Sequence, residues 1–205
     1  PSNFEIRNLS EVVDLQRGLS YKGEHLNDEE PVGHPMINLG NIKPGGGYRQ
    51  EKLKYYTEEP KERYTTEPGE LIISHTDMTQ DREILGSPVI VPNLEADPII
   101  FSHHLYAVKN PKLPEEFLYP YLLSPYFKEK AESYASGTTV LSFSSDIASD
   151  ALVPIPNEED LERYVNLTSP LFELEDSLRS ENDQIRNLLE TLLPELISGR
   201  VKIPT

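Results

Sequence analysis

The chain has 205 residues, with 19 Lys and Arg against 35 Asp and Glu, and a net charge of −16. This acidity argues against an autonomous, sequence-indifferent nucleic-acid binder, because that affinity comes mainly from cations that displace counterions from phosphates. It also argues against binding to anionic membranes. The absence of cysteine excludes disulfides, thiolate metal sites and a cysteine nucleophile, and it fits a cytoplasmic protein.

Residues 1–156 contain short apolar stretches separated by Pro and Gly. The pattern predicts a short helix near Ser10, a strand that ends at Gly18, and further strands at residues 36–42, 71–73, 89–91 and 99–108. In the last of these strands, alternation places His103 in the core and His104 on the opposite face with Ser102 and Tyr106.

Two helices are predicted after these strands. One begins at Pro114; the other begins at Pro125, with Ser124 as its N-cap, and ends at Gly137. Short strands followed by helices indicate an α+β fold, a globular domain with a small curved sheet.

Residues 157–205 have helical periodicity and predict a long coiled-coil-type helix that begins after Asn157. Apolar residues recur at the heptad spacing that keeps one stripe against a partner helix. The residues predicted to pair are Leu171, Leu174, Leu178, Ile185, Leu188 and Leu192. At Pro170 the helix either kinks or starts afresh with Ser169 as its cap. The alternative to a partner helix is packing of the stripe on the chain's own domain.

Motifs for catalysis are missing from the sequence. There is no phosphate-binding loop of the Gly-x4-Gly-Lys type and no Gly-x-Ser-x-Gly elbow. The five histidines show no i,i+4 pair, so we expect no metal and no cofactor in this chain. A carboxylate-based hydrolase with a deep pocket of paired acids is the weaker alternative, since nothing in the sequence selects a pair.

Two polar stretches run against the global charge. Residues 41–57 place four cations and three tyrosines around a Gly-rich hairpin tip, with Glu51 as the single acid, and the residues that suit phosphate or base contact are Lys43, Tyr48, Arg49, Lys52 and Lys54. Residues 74–82 follow a predicted buried strand and offer Gln80 and Arg82, which suit the edges of adenine and guanine. The alternatives are an exposed hairpin kept soluble by its lysines, and a turn that caps a short helix.

Four blocks carry a resemblance that covers nearly the whole chain. They are "RGLSYKGEHLNDEEPVGHPMINLGNI", "GELIISHTDMTQDREILGSPVIVP", "SGTTVLSF" leading to "LVPIPNEEDLERYV", and "LLETLLPELISGRVKIP". In this order they resemble the specificity subunits of type I restriction-modification systems. The most specific of them are the "TDMTQ" block and the "LLP-LISG" ending.

The resemblance implies a target recognition domain at residues 1–156 and a conserved helical spacer at residues 157–205. It implies DNA-facing roles for Tyr21, Lys22, Thr76, Asp77, Thr79 and Gln80. It also implies a non-catalytic subunit that directs methyltransferase and restriction subunits, which use S-adenosylmethionine and ATP, to a split target on double-stranded DNA. Complete subunits of the family usually carry two recognition domains and two helices, so we expect this chain to dimerise or to belong to a longer protein.

A rival from another class is an acidic interaction protein, such as a DNA mimic that inhibits a DNA-binding partner. A mimic needs carboxylates regularly spaced on an exposed face, whereas a recognition domain needs residues 41–57 and 74–82 on one surface. If the chain recognises DNA, its net charge predicts weak binding alone, with other subunits supplying the grip on the phosphates.

Overall fold

The computed structural model describes residues 4–27, 32–50, 53–79, 81–94, 96–198 and 200. Within them the helices are α1 (Glu115–Leu123), α2 (Pro125–Tyr134) and α3 (Glu158–Ile197). The strands are β1 (Glu5–Asn8), β2 (Asp14–Arg17), β3 (Leu26–Asn27), β4 (His34–Ile37), β5 (Lys54–Tyr56), β6 (Thr65–Thr66), β7 (Leu71–Ser74), β8 (Thr76–Asp77), β9 (Pro88–Ile90), β10 (Ile99–Phe101), β11 (Leu105–Lys109), β12 (Leu141–Ser142) and β13 (Leu152–Ile155). The α+β class predicted from the sequence is confirmed.

The strands form two main sheets, where the sequence led us to expect one. The five-stranded sheet has the order β3-β5-β4-β10-β6, and the four-stranded sheet has the order β2-β11-β7-β9. In the five-stranded sheet β10 runs parallel to β4, and every pair in the four-stranded sheet is antiparallel. Two further two-stranded sheets are formed by β1 with β13 and by β12 with β8.

Alternate residues of the four-stranded sheet build two different cores. Leu71 and Ile73 of β7 face a core that includes Leu118 of α1 and Phe127 of α2. Ile72 faces the other way, into a core shared with the five-stranded sheet. The uninterrupted apolar run of β7 follows from this arrangement, because a strand covered on both faces needs no polar side.

The prediction of a single strand at residues 99–108 is wrong, because the chain turns between Phe101 and Leu105. β10 ends at Phe101 and β11 begins at Leu105 in the other main sheet. The intervening turn is held from outside: Ser102 N donates to Ile37 O at 2.9 Å, and His103 N donates to Leu19 O at 2.8 Å. His103 is therefore half-buried at this turn, and not in the core, while Ser102 and Tyr106 are buried.

Local capping signals predicted the helices correctly at their starts. Ser124 Oγ accepts from Phe127 N at 3.2 Å, and Asn157 Oδ1 accepts from Asp160 N at 2.9 Å. The end of α2 is different from the prediction, because α2 ends at Tyr134. Gly137, at φ +115°, instead lets the chain turn back beside Val140 O, which lies 2.1 Å from where a Cβ would stand.

The chain divides into two compact units, residues 1–162 and 163–205. α3 is one continuous helix of 40 residues, so Ser169 does not cap a new helix at Pro170. Before that proline, Thr168 Oγ1 donates to Tyr164 O at 3.0 Å. Among the described residues, no helix has the length and apolarity to cross a membrane.

Candidate nucleic-acid interface

The ends of four neighbouring strands meet at one edge of the four-stranded sheet. Tyr106 pairs with Arg17 at the end of β2, Leu105 at the start of β11 pairs with Ser74 at the end of β7, and Ile73 pairs with Pro88 at the start of β9. At a strand spacing of about 4.8 Å, this edge is roughly 14 Å wide, close to the ~12 Å width of the major groove. We call it the loop edge.

Several predicted contact residues lie on segments that leave the loop edge. Tyr21 and Lys22 follow β2, and Thr79 and Arg82 lie between β8 and β9. The hairpin with Lys43 and Arg49 on its two sides reaches the same place, since Gly47 N donates to Pro88 O at 2.8 Å. Its tip turns through three glycines with φ of +74°, +101° and +91°.

Lys54 starts β5, opposite Met36 near the end of β4. This is the end of the five-stranded sheet at which β10 also finishes and enters the turn toward β11. Two further predicted residues, Lys52 and Gln80, lie outside the described residues. The structure therefore brings seven of the twelve predicted contact residues to connected segments at strand ends.

Three predicted contact residues are buried, and a direct contact with DNA is not compatible with their position. Tyr48 is 5% exposed, Thr76 is 3% exposed and Asp77 is 0% exposed. Tyr48 packs in the core between the two sheets. Thr76 and Asp77 form β8, which pairs with β12. The polar side chains of Thr76 and Asp77, which suggested DNA contacts in the sequence, form hydrogen bonds inside the protein.

Asp77 organises the loop that follows it. Its Oδ1 accepts from the backbone N of Thr79 at 2.6 Å and from the hydroxyl of the same residue at 2.7 Å. Its Oδ2 accepts from Ile84 N at 2.8 Å and from Leu85 N at 3.1 Å. One buried carboxylate thus joins both ends of the loop, and Met78 between β8 and Thr79 is left 59% exposed.

A lysine of α2 supports the same loop from below. Lys128 Nζ donates to the carbonyl oxygens of Arg82 and Leu85. Arg82 has φ +55°, a left-handed conformation that is uncommon for a residue with a Cβ. The loop is therefore held in one shape by side chains from two elements, which is what a recognition surface requires.

Hydrogen bonds link His75, directly before β8, to the turn between the two sheets. His75 is 3% exposed, and its Nε2 lies 2.8 Å from His103 O. A carbonyl can only accept, so Nε2 carries the proton, and Nδ1 faces the Thr76 hydroxyl at 3.4 Å. Arg17 Nε donates to the same His103 O at 3.0 Å.

The imidazole rings of His75, His103 and His104 are neutral at pH 7. Burial, with Arg17 and the neighbouring histidines adding to it, lowers the pKa of His75 and of His104 to about 4. Burial also lowers the pKa of His103. The rings of His103 and His104 lie 3.9 Å apart, and Tyr21 meets His103 edge-on at 5.6 Å. Sequence reasoning missed Arg17; its position directly before Gly18 at the end of a predicted strand was the available signal.

Acidic residues dominate the opposite edge of the four-stranded sheet. An open groove of about 640 Å³ there is lined by Asp14, Glu62, Glu67 and Glu70 among others. Lys109 Nζ donates to both carboxylate oxygens of Glu70, at 2.8 and 2.6 Å, and the Thr66 hydroxyl donates to Oε2. Burial opposes the ionised form of Glu70, but these hydrogen bonds outweigh it and lower the pKa. The ion pair with Lys109 and the hydrogen bond from Thr66 thus hold Glu70 in place at the groove.

The apolar stripe of α3 is solvent-exposed in the described structure. Its six predicted pairing residues are between 45% and 63% exposed, namely Leu171, Leu174, Leu178, Ile185, Leu188 and Leu192. An exposed row of leucines at this spacing is typical of a helix that packs against another helix.

Comparisons with known proteins agree on one family. The family model described as the type I restriction modification DNA specificity domain matches residues 1–190. The specificity subunit of the type I restriction enzyme MjaVIII from Methanocaldococcus jannaschii is 21% identical over 209 residues, which are 99% of this chain and 47% of that protein.

Two solved structures share the fold. The S subunit of a type I restriction-modification system from M. genitalium has a TM-score of 0.62 and 18% identity, over 96% of this chain and 46% of that one. The HsdS subunit from Thermoanaerobacter tengcongensis has a TM-score of 0.57 and 18% identity, over 98% and 46%. The chain thus spans about half the length of the relatives that it matches.

Proposed function

Since the chain belongs to the type I restriction modification DNA specificity family, we propose that it recognises one half of a split target on double-stranded DNA. In this role it directs methyltransferase and restriction subunits to that target and has no catalytic activity of its own. The observation that carries the proposal is the loop edge, where Tyr21, Lys22, Lys43, Thr79 and Arg82 lie on segments that leave adjacent strand ends.

The loop edge suits base recognition because it is both polar and internally braced. Asp77 and Lys128 fix the loop after β8, so the exposed side chains of that loop need little ordering when they bind. Lys43, Lys54 and Arg49 supply the phosphate contacts that would set the register on the duplex. Glu24, Asp81 and Glu83 lie in the same segments and limit how much nonspecific affinity this surface can have.

The net charge of −16 supports a division of labour in the complex. Four of the acidic residues line the groove at the opposite edge of the sheet. Part of the negative charge therefore lies away from the loop edge. We propose that the isolated chain binds duplex DNA weakly and that partner subunits provide most of the phosphate contacts. The family match favours this function over the acidic DNA mimic.

The exposed stripe of α3 supports a second role, as the helical spacer. A helix of 40 residues spans about 60 Å at 1.5 Å per residue. Paired with a second such helix, it would set the distance between two recognition domains and hence the spacer length in the target. The second recognition domain comes from a second copy of the chain or from a longer protein.

The test of the recognition role is co-expression of the chain with methyltransferase subunits, followed by genome-wide mapping of methylated bases. We expect methylation at one defined, split sequence, absent from cells that lack the chain. The charge variant Lys43→Ala with Lys54→Ala should weaken binding to all sequences and flatten its salt dependence by about one unit per lost phosphate contact. Lys112→Ala removes one lysine beyond the opposite edge of the sheet and is the control for loss of charge away from the loop edge. Methylation without a defined sequence would refute the proposal.

The test of the spacer role places charge on the stripe. Leu178→Glu with Ile185→Glu should abolish helix pairing, because two buried carboxylates would lose their hydration. Ser177→Glu with Ser180→Glu adds the same charge off the stripe and should leave pairing intact. The role of the stripe would be contradicted if light scattering found that Leu178→Glu with Ile185→Glu has the same mass and the same partners as the wild type.

A further inference from the structure

The turn between the two main sheets presents a surface on which Tyr21 is the one predicted contact residue. We define it as the histidine surface: Arg17, Tyr21, His103 and His104. It lies at the loop edge, since β2 ends at Arg17 and β11 begins directly after His104. Gly18 makes the close approach possible, because a Cβ there would stand 2.3 Å from Ser102 O.

Arg17 is an exposed arginine whose fork is only partly used. Its Nε donates to His103 O, and among the described residues it forms no ion pair with a carboxylate. Its two terminal nitrogens are therefore available to a ligand with two adjacent acceptors. Guanidinium groups bind such pairs bidentately in carboxylates, in phosphates and at N7 and O6 of guanine.

The neighbours of Arg17 favour a base edge over a phosphate. His103 and His104 have lowered pKa values and stay neutral at pH 7, so Arg17 is the single charge of the surface. The neutral imidazole of His104 has one donor and one acceptor, which matches the mixed pattern of a base edge, whereas Nδ1 of His103 is buried. A phosphate site gains from several cations, and none of these rings supplies one.

The surface is also held in place from the interior. The acceptor that orients Arg17, His103 O, receives a second hydrogen bond from buried His75, whose backbone N in turn donates to His104 O at 3.2 Å. His75 is thus a positioning residue behind the turn. Such support fixes the direction of the guanidinium before DNA arrives, which raises specificity at little cost in ordering.

We propose that Arg17 reads a guanine in the major groove of the half-site, with His104 beside it contacting the neighbouring base edge. This inference rests on the proposed function of the chain. It adds to the loop edge two residues that neither composition nor family resemblance assigned to DNA.

The experiment measures the coupling between Arg17 and individual guanines. The complex of the chain with methyltransferase subunits is titrated with duplexes that carry the mapped methylation sequence, each with one guanine of the half-site replaced by 7-deazaguanine, which lacks the N7 acceptor. The wild-type complex should bind roughly 5- to 150-fold more weakly when one particular guanine is replaced. The Arg17→Ala complex should bind the natural and the replaced duplex equally at that position.

Two further variants separate a base contact from the alternatives. Arg17→Lys keeps the charge but loses the planar fork, so it should bind the natural duplex more weakly than the wild type and show a reduced sensitivity to 7-deazaguanine at that position. Arg7→Ala removes an exposed arginine from β1, where it pairs with Glu5, and it should behave as wild type. Thermal melting confirms that each variant is folded before titration.

The outcomes keep the two proposals apart. A wild-type complex without any sequence preference would refute the proposed function and this inference with it. A specific wild-type complex whose Arg17→Ala and Arg17→Lys variants keep full sensitivity at every guanine would refute the inference alone. Uniform weakening by Arg17→Ala, with a salt slope lower by about one and all guanine sensitivities kept, would assign Arg17 to a phosphate and also refute it.

Discussion

His75 should make the stability of the domain dependent on pH in a predictable window. It lies 3% exposed between Tyr106 and Phe143, and burial lowers the pKa of its imidazole from 6.5 to about 4. In the unfolded chain the same group takes up a proton below pH 6.5. Between pH 6.5 and 4 the unfolded state therefore binds more protons, and stability falls as the pH falls.

The size of this effect follows from the pKa difference. One pKa unit corresponds to about 1.4 kcal/mol, so His75 should reduce the free energy of unfolding by about 2 kcal/mol at pH 5, relative to pH 8. The reduction should approach about 3 kcal/mol at pH 4. The charged and titratable groups that face it, Arg17, His103 and His104, oppose its protonation as well.

Urea denaturation of the wild type and of His75→Gln at pH 8, 6 and 5 measures the effect. Glutamine keeps a donor toward His103 O but does not titrate, so the variant should lose about 2 kcal/mol less than the wild type between pH 8 and pH 5. Other titrating groups remain in both proteins, so the difference between the two curves reports His75 together with its coupling to His104. Parallel curves would show that His75 is not held neutral in the fold and would refute the reasoning.

Two other substitutions test the framework of the loop edge. Asp77→Asn replaces one carboxylate oxygen, which accepts two hydrogen bonds, by an amide NH2 group that can only donate, and it should cost roughly 3 kcal/mol or more in unfolding free energy; a loss below 1 kcal/mol in urea denaturation would contradict the role of Asp77. Gly18→Ala places a Cβ against two backbone carbonyls and should cost about 1–3 kcal/mol, whereas Gly23→Ala meets nothing within 4 Å and should lie within about 0.5 kcal/mol of wild type. Equal melting temperatures for the two glycine variants would contradict the tight approach at Gly18.

The parts of the fold that depend on neighbouring residues were accessible from the sequence. The starts of α2 and α3 are specified by Ser124 with Pro125 and by Asn157, whose caps act within three residues. The heptad stripe likewise depends on spacing alone. The buried strand β7 was predicted because a continuous apolar run indicates cover on both faces.

The candidate site was predicted in its location more than in its residues. Described parts of both predicted stretches, including Lys43 and Arg82, lie at the loop edge, but Thr76, Asp77 and Tyr48 are buried. Polar side chains in a loop bind either a ligand or the loop's own backbone, and composition does not distinguish the two. The turn at Ser102 was missed because it has no Gly or Pro and is stabilised by the backbone of Leu19, just after β2, and of Ile37 in β4.

By itself, the sequence determined the α+β class, the long helix with its apolar stripe, and the family, because these rest on local spacing and on motifs in order along the chain. The tertiary structure alone decided which polar residues are exposed and which are buried and form hydrogen bonds to the backbone of a loop. It also brought Arg17 to His103, 86 positions away, through a shared carbonyl. Contacts of that kind depend on which strands pair, and strand pairing is a property of the folded chain that no window of neighbouring residues contains.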